Sequence, residues 1–281
     1  MRIVQALSEL RAARASLPSP FGLVPTMGAL HEGHLSLVRR AKEECASVGV
    51  SIFVNPTQFA PEEDLDAYPR DLTSDAAMLE AVGADLVWAP SEKEVYPPGF
   101  QTWVTVEDLT KPLEGAHREG HFQGVTTVVA KLFNAFQPNN AYFGQKDAQQ
   151  ALVVKRMARD LDYPLEVIVC PTVREPDGLA MSSRNAYLDE QQRKAATALW
   201  RALRAAVEAF DSGERDAEAL RRLMVEMLEK EPLARTQYVS VADCETLDEL
   251  TGAVESALLS MAVFVGKTRL IDNMVVGQPG W

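Results

Sequence analysis

The sequence predicts an α/β protein in which a parallel sheet is followed by a smaller α+β domain, and three observations carry that expectation. Gly22-Leu23-Val24-Pro25-Thr26 is a short apolar run, a glycine-bearing turn and a helically spaced stretch follow it, and Val50-Ser51-Ile52-Phe53-Val54 closes the set. Strand, turn, helix and strand in that order make a βαβ unit, whose strands pair in parallel. The alternation continues to Val169. Beyond Cys170-Pro171 the chain turns to long Ala-, Leu-, Glu- and Arg-rich stretches and then three strand-like runs.

Within the first part, Leu35, Val38 and Ala41 predict a helix through 34–48, ahead of the strand that stops at Asn55-Pro56. A polar loop over 58–71 leads to an expected helix at 74–82 and a strand at 85–89. After the Pro97-Pro98-Gly99 break and Trp103-Val104-Thr105-Val106, the pattern predicts a helix at 125–136, a strand at 141–144, a helix at 147–161 and a strand at 165–169. In the second part, residue propensity favours helices over 188–210 and 216–231. Strands are expected at 238–242, 258–265 and 270–276. The boundary is placed near Val173, giving domains of 1–172 and 173–281.

A length of 281 residues suits two domains. Hydrophobic residues make up 47% and charged residues 24%, globular values that exclude disorder and fibrous repeats. The formal charge of -12 argues against a nucleic-acid partner, which would need clustered Lys and Arg, but leaves room for a small anionic substrate in a local cationic pocket. Cys45, Cys170 and Cys244 are odd in number and form no CxxC pair, so neither a disulfide framework nor a cysteine zinc site is expected. Arg2, Glu9, Arg11 and Arg14 break up the first apolar stretch, unlike a signal peptide, and the apolar run at 258–265 is too short to span a bilayer. The expectation is a cytoplasmic protein with no membrane partner.

All four histidines fall in two pairs, His31 with His34 and His117 with His121. The first pair lies between an expected strand and an expected helix, where backbone N–H groups and the helix dipole meet an anion. Gly28 and Gly33 permit close backbone approach or a positive φ. Two imidazoles three residues apart share a face, from which they can donate to phosphate oxygens as charge develops. Plain turn geometry explains the glycines equally well, and two His pairs also allow a zinc reading.

Three further segments follow strands or turns. In Phe143-Gly144-Gln145-Lys146-Asp147, Lys146 suits a phosphate and Asp147 either a Mg²⁺ ion or a helix N-cap. Met181-Ser182-Ser183-Arg184-Asn185, after the turn Glu175-Pro176-Asp177-Gly178, offers hydroxyls and a guanidinium to phosphate, or is a polar loop. In Asn55-Pro56-Thr57-Gln58-Phe59 the amides suit a hydroxylated acid, or make ordinary turn bonds. Cys45 reads as structural.

Together these segments resemble the pantothenate synthetase family. Pro25-Thr26-Met27-Gly28-Ala29-Leu30-His31-Glu32-Gly33-His34, Asn55-Pro56-Thr57-Gln58-Phe59, Gly144-Gln145-Lys146-Asp147-Ala148-Gln149-Gln150 and Met181-Ser182-Ser183-Arg184-Asn185 occur in the family's order, with Arg269-Leu270-Ile271-Asp272-Asn273 near the end. The resemblance implies a Rossmann-type sheet of the HxGH nucleotidyltransferase kind, a C-terminal domain covering the site, and a homodimer. It implies ATP-dependent joining of (R)-pantoate to β-alanine through a pantoyl-adenylate, with release of AMP and pyrophosphate. By the same resemblance His31, His34, Lys146, Ser182, Ser183 and Arg184 act on the ATP phosphates, and Met27, Gly28, Gly144, Val173 and Met181 line the nucleotide. Asp147 is implied near the nucleotide and its Mg²⁺, Asn55 near β-alanine, and Gln58 and Gln150 on pantoate. Arg118 and His121 match a further substrate segment, where this chain reads Arg118-Glu119-Gly120-His121 instead of Arg-Pro-Gly-His, and Ala60 stands where glycine is commoner. Two rival readings are another HxGH enzyme and a nucleotide-binding module without catalysis.

Overall fold

The structure is a computed structural model that describes residues 1–59, 65 and 68–278, so Ala60 and part of the 58–71 loop lie outside the described residues. The chain divides into two compact units: Met1–Gly144 with Gln150–Cys170, and Gln145–Gln149 with the chain from Pro171 onward.

In the first unit, strands β1 (Arg2–Val4), β2 (Phe21–Thr26), β3 (Ser47–Ile52), β4 (Leu86–Trp88), β5 (Asn140–Gly144) and β6 (Glu166–Cys170) form one sheet in the order β1-β4-β3-β2-β5-β6. All five pairings are parallel. The helices are α1 (Leu7–Ala15), α2 (Glu32–Glu44), α3 (Leu72–Ala81), the short α4 (Glu92–Val95) and α5 (Glu114–His117), α6 (His121–Phe136) and α7 (Ala148–Asp160). A parallel sheet buries both faces, and β2 shows how its apolar run serves that. Phe21 and Leu23 join the core with Leu10 of α1 and Phe133 of α6, whereas Val24 joins the opposite core with Val38 of α2 and Leu79 of α3. Each fully buried Leu, Val or Phe there contributes about 1.5–3 kcal/mol.

The strand order reverses at β2: the chain steps outward through β3 and β4, then crosses to β5 and β6 on the other side. β2 pairs with β3 at six positions but with β5 only at Gly22↔Asn140 and Leu23↔Ala141. Pro25, which has no N–H to give, lies in the part of β2 past that short ladder. The carboxyl ends of β2 and β5 therefore flank the topological switch point, the place where open α/β sheets bind ligands.

Several elements of this unit differ from the sequence expectation, among them the short α4 and α5, which were not expected. Strand β1 and helix α1 were not expected; β1 buries only Val4, and α1 only Leu10 and Ala13, so neither shows much periodicity. Helix α2 stops at Glu44 rather than running to 48, because Asp85 captures the Val48 N–H at 2.7 Å and Ser47 bonds Pro18 O at 2.5 Å, drawing the chain into β3.

The second unit holds α8 (Glu190–Ala195), α9 (Thr197–Asp211), α10 (Ala217–Glu229) and an antiparallel sheet of β7 (Ala234–Ala242), β8 (Ala257–Val265) and β9 (Thr268–Val276), ordered β7-β8-β9. Its core joins Leu199, Leu203 and Leu220 from the helices to Leu259, Met261 and Val263 of the central strand. The helix expected over 188–210 is two helices preceded by a 3-10 turn at Ser183–Tyr187. Leu188 is extended (ψ 129°), and the Asp189 carboxylate accepts from the Gln191 and Gln192 N–H groups, starting a new helix. Among the described residues no helix is long and apolar enough to cross a membrane.

Candidate active site

The turn after β2 is built on positive φ angles, 79° at Gly28 and 50° at Ala29. Thr26 Oγ1 donates to Ser51 O at 2.7 Å and accepts from the Gly28 N–H at 3.2 Å, closing the turn against β3. Asp75, on α3 and 2% exposed, then accepts from Ala29 N at 3.0 Å and Leu30 N at 2.8 Å, one oxygen each. A Cβ on Gly28 would stand 2.9 Å from Asp75 Oδ2, so glycine is required by both space and φ. Burial pushes the Asp75 carboxyl above its usual range, against the lowering effect of these two N–H bonds.

This anchored turn delivers the first histidine pair. His31 is the N-cap of α2, and its Nδ1 accepts from the Gly33 N–H at 3.2 Å. His34 Nδ1 accepts in turn from the His31 N–H at 3.3 Å, and the two rings lie 4.1 Å apart between centroids. Acceptance at Nδ1 assigns the proton of each neutral ring to Nε2. Each neutral ring thus carries its proton on Nε2, at a helix N-terminus whose dipole favours an anion.

The amide segment after β3 forms a second cluster in the same unit. Asn55, 1% exposed, donates Nδ2–H to Gln58 Oε1 at 2.9 Å and to Gly124 O at 3.1 Å. Its Oδ1 accepts from Thr57 Oγ1 at 3.0 Å and Tyr96 OH at 2.9 Å. All four hydrogen-bonding positions of the Asn55 amide are thus used inside the protein. The Gln58 Oε1 is thus engaged by Asn55. The Gln58 backbone carbonyl accepts from His121 Nδ1 at 2.8 Å and Arg118 Nη2 at 3.3 Å, while Arg118 Nη1 meets His121 Nε2 at 3.1 Å. A carbonyl partner requires Nδ1–H, so His121 carries the tautomer opposite to that of His31 and His34. The Arg118-Glu119-Gly120-His121 turn closes through His121 N to Arg118 O at 3.1 Å, with Gly120 at φ 74°. Glutamate is accommodated there in place of proline.

In the second unit, Lys146 lies in a 3-10 turn (Gln145–Asp147), its Nζ 3.9 Å from Asp147 Oδ1. The Asp147 side chain is 49% exposed. Val173 and Met181 pair across a hairpin, Met181 N donating to Val173 O at 3.0 Å. Ser182 then caps the 3-10 turn carrying Ser183 and Arg184, its Oγ accepting from the Arg184 N–H at 3.3 Å. Asn185 ties this turn to the hairpin through Nδ2 to Ala180 O at 3.0 Å.

The structure thus gathers His31 with His34, and Asn55 and Gln58 with Arg118 and His121. Met27 and Gly144 lie at the carboxyl ends of β2 and β5, and Gln150 in the first turn of α7. Cys45 is the C-cap at the far end of α2, about 20 Å along a 13-residue helix from the histidine turn, and contacts Tyr142 OH at 3.4 Å. Burial pushes the Cys170 thiol up and the Cys244 thiol up to about 11, which suits neither as a nucleophile. Sequence reasoning missed Asp75 and Tyr96. An aspartate within a helix gives no sign that it reaches a loop 45 residues away.

Comparison with known proteins completes the picture. The family model for pantoate-beta-alanine ligase matches residues 2–275. The pantothenate synthetase of Roseiflexus sp. (strain RS-1) is 60% identical over 276 residues, covering 98% of this chain and 99% of the relative. That of Chloroflexus aurantiacus (strain ATCC 29366 / DSM 635 / J-10-fl) is 57% identical over 281 residues and 100% of both chains. The crystal structure of pantothenate synthetase from Thermus thermophilus superposes with a TM-score of 0.93 at 51% identity, covering 98% and 99% of the two chains. A pantoate-beta-alanine ligase from Francisella tularensis, complexed with beta-gamma ATP and beta-alanine, gives a TM-score of 0.82 at 36% identity over 99% of each chain. The expected class, a Rossmann-type parallel sheet with a smaller α+β C-terminal domain, is the one these structures share. With the motifs in order and the match running nearly the full length, the chain belongs to the pantoate-beta-alanine ligase family.

Proposed function

We propose that the chain joins (R)-pantoate to β-alanine at the expense of ATP, giving pantothenate, AMP and pyrophosphate through a pantoyl-adenylate. The observation that carries this reading is the histidine pair anchored through both Nδ1 atoms at the N-terminus of α2. The pantoate carboxylate attacks the α-phosphorus in line with the departing pyrophosphate. The protein positions the reactants and neutralises charge, so no Ser–His or Cys–His nucleophile is needed. His31 and His34 donate to the phosphate oxygens as charge builds; by the same reading Lys146, Ser182, Ser183 and Arg184 are further phosphate donors, and Met27, Gly28, Gly144, Val173 and Met181 line the nucleotide. The neutral amine of β-alanine then attacks the acyl carbon of the adenylate, and AMP leaves.

Gln58 and Gln150 hold pantoate, with Arg118 and His121 fixing the Gln58 backbone. Asn55 orders Gln58 and Tyr96 at the β-alanine end. Mg²⁺ belongs to the same reading. Among the described residues no three His, Cys, Asp or Glu side chains gather as a protein-built cage. The half-exposed carboxylate of Asp147 is the kind of partner such an ion takes when phosphates supply most of its oxygens. When bound, the ion neutralises phosphate charge. The resemblance also implies a homodimer, to be tested by sedimentation, and the three buried free cysteines support a cytoplasmic setting.

Pantoate-dependent pyrophosphate release, followed by β-alanine-dependent appearance of pantothenate, tests the reading. RNA retention, or ATP binding without turnover, would favour the rivals. Gln58→Ala should raise the KM for pantoate about tenfold, the value of one hydrogen bond to a charged group, and leave the KM for ATP unchanged. A change confined to ATP would overturn the assignment of Gln58.

A further inference from the structure

We infer that Arg174, Asp272 and Asn273 form a positioning relay that sets where Lys146 stands relative to the turn carrying Ser182, Ser183 and Arg184. The inference rests on the reading above, in which both groups act on the ATP phosphates. It gives a role to the Asp272-Asn273 pair, which the mechanism does not otherwise use.

Asn273 is 3% exposed in β9, and its Nδ2 donates to two consecutive carbonyls, Gln145 O at 2.9 Å and Lys146 O at 2.9 Å. Its Oδ1 accepts from Gln145 Nε2 at 3.5 Å. Both amide hydrogens thus hold the backbone of the short turn from which Lys146 projects. Asp272, 2% exposed, receives both arms of the Arg174 guanidinium, Nη1 to Oδ2 at 2.6 Å and Nη2 to Oδ1 at 2.9 Å. The same Oδ1 accepts from the Asn273 N–H at 2.8 Å, and Arg174 Nη2 also donates to Asn273 O at 3.3 Å. Asp272 therefore fixes the residue that fixes Lys146.

Arg174 connects this to the other loop. It sits on the hairpin leading to Ser182, with Nη1 bonding Gly178 O at 3.1 Å and its guanidinium stacked 4.2 Å from the centre of the Trp200 ring. Gly178, at φ 91°, is where a Cβ would stand 1.9 Å from Trp200, so the hairpin is held tightly on that ring. From Ala180 the path continues through Asn185 to the turn that carries Arg184.

Two adjacent polar residues buried in mid-strand cost stability unless every group is satisfied, and an apolar pair would suit a strand better. Here the side-chain bonds they make beyond the pair run to the Gln145–Lys146 turn and to Arg174. The fixed charge and rigid fork of arginine make that link stiff.

The test separates the half-reactions. Asn273→Ala should slow single-turnover pyrophosphate release about tenfold, the scale of a small misplacement of one donor. Amide formation from supplied pantoyl-adenylate and β-alanine should keep its rate. In a Lys146→Ala background the same substitution should add less than about twofold, because residues acting through one group are not additive. Equal losses in both half-reactions, or the full tenfold loss on top of Lys146→Ala, would overturn the relay. Asn273→Ser, which keeps one donor and disturbs packing less, should lose about threefold in the first half-reaction only; a loss in both would count against the relay in the same way. If Lys146→Ala itself leaves pyrophosphate release unchanged, it is the role of Lys146 that fails. A slow Lys146→Ala with a fast Asn273→Ala instead sinks the relay alone.

Discussion

His34→Ala is expected to lower the rate of adenylate formation by about two to three orders of magnitude, the usual cost of removing one donor to a developing anion. The geometry allows a finer test, because His34 has two roles: Nδ1 accepts the His31 N–H, and in the proposed reaction the Nε2–H donates to phosphate. An alanine loses both, but the cap is worth only about 1 kcal/mol of stability. Asparagine places its Oδ1 close to where Nδ1 stands, so His34→Asn should keep the cap and stay slow. Glutamine reaches the Nε2 position, so His34→Gln should recover part of the rate, about tenfold over alanine. Single-turnover pyrophosphate release with each variant, alongside its melting temperature, reads both effects. Recovery by asparagine and not by glutamine would show that the histidine matters as a cap, and the donor role would be abandoned.

That test depends on the β2–α2 turn, which was legible in the sequence because each part has a local signal. An apolar run, two glycines, a capping position and a helical repeat follow one another within 20 residues of chain. The parts that were not legible are set by contacts distant in sequence. Asn55 reads as a turn former, and only the fold shows its amide bonded to Gly124 and Tyr96. Arg174 reads as one residue beside an acidic turn; its partner Asp272 lies 98 residues on. The helix expected over 188–210 began two residues early and missed the break at Ala196 because propensity averages over a window, although Asp189 followed by Gln192 is a capping box. Strand β1 has three residues and buries one, so its place comes from pairing with β4 and not from its own pattern.

Asp75 is the strongest case of a site residue set by distant contact, and its removal should be costly. Asp75→Ala leaves the Ala29 and Leu30 N–H groups without their acceptor, each worth about 1–3 kcal/mol when buried, partly offset by relief of the carboxylate's own desolvation. A net loss of about 2–3 kcal/mol should appear as a lower melting temperature. The larger effect falls on the rate. Residues 28 and 29 hold positive φ, and without the carboxylate the turn has less to keep it there. A displacement of the histidines by about 1 Å would cost about a hundredfold in adenylate formation. Asp75→Asn, which keeps one acceptor, should fall between alanine and the parent. An Asp75→Ala enzyme with the parent's single-turnover rate would show that the turn holds itself. The sign of the pH dependence gives an independent check. Burial raises the folded-state pKa of Asp75 above the ordinary value of 3.8, so the folded protein holds this proton more tightly than the unfolded chain does. The ionised carboxylate therefore costs stability in full above its folded pKa, and the cost vanishes as pH falls through that value towards 3.8. Urea unfolding of parent and Asp75→Asn across that range should show the parent gaining on the variant as the solution is acidified. The opposite trend would mean that the two N–H bonds outweigh burial, and that the anchor is at its strongest when charged.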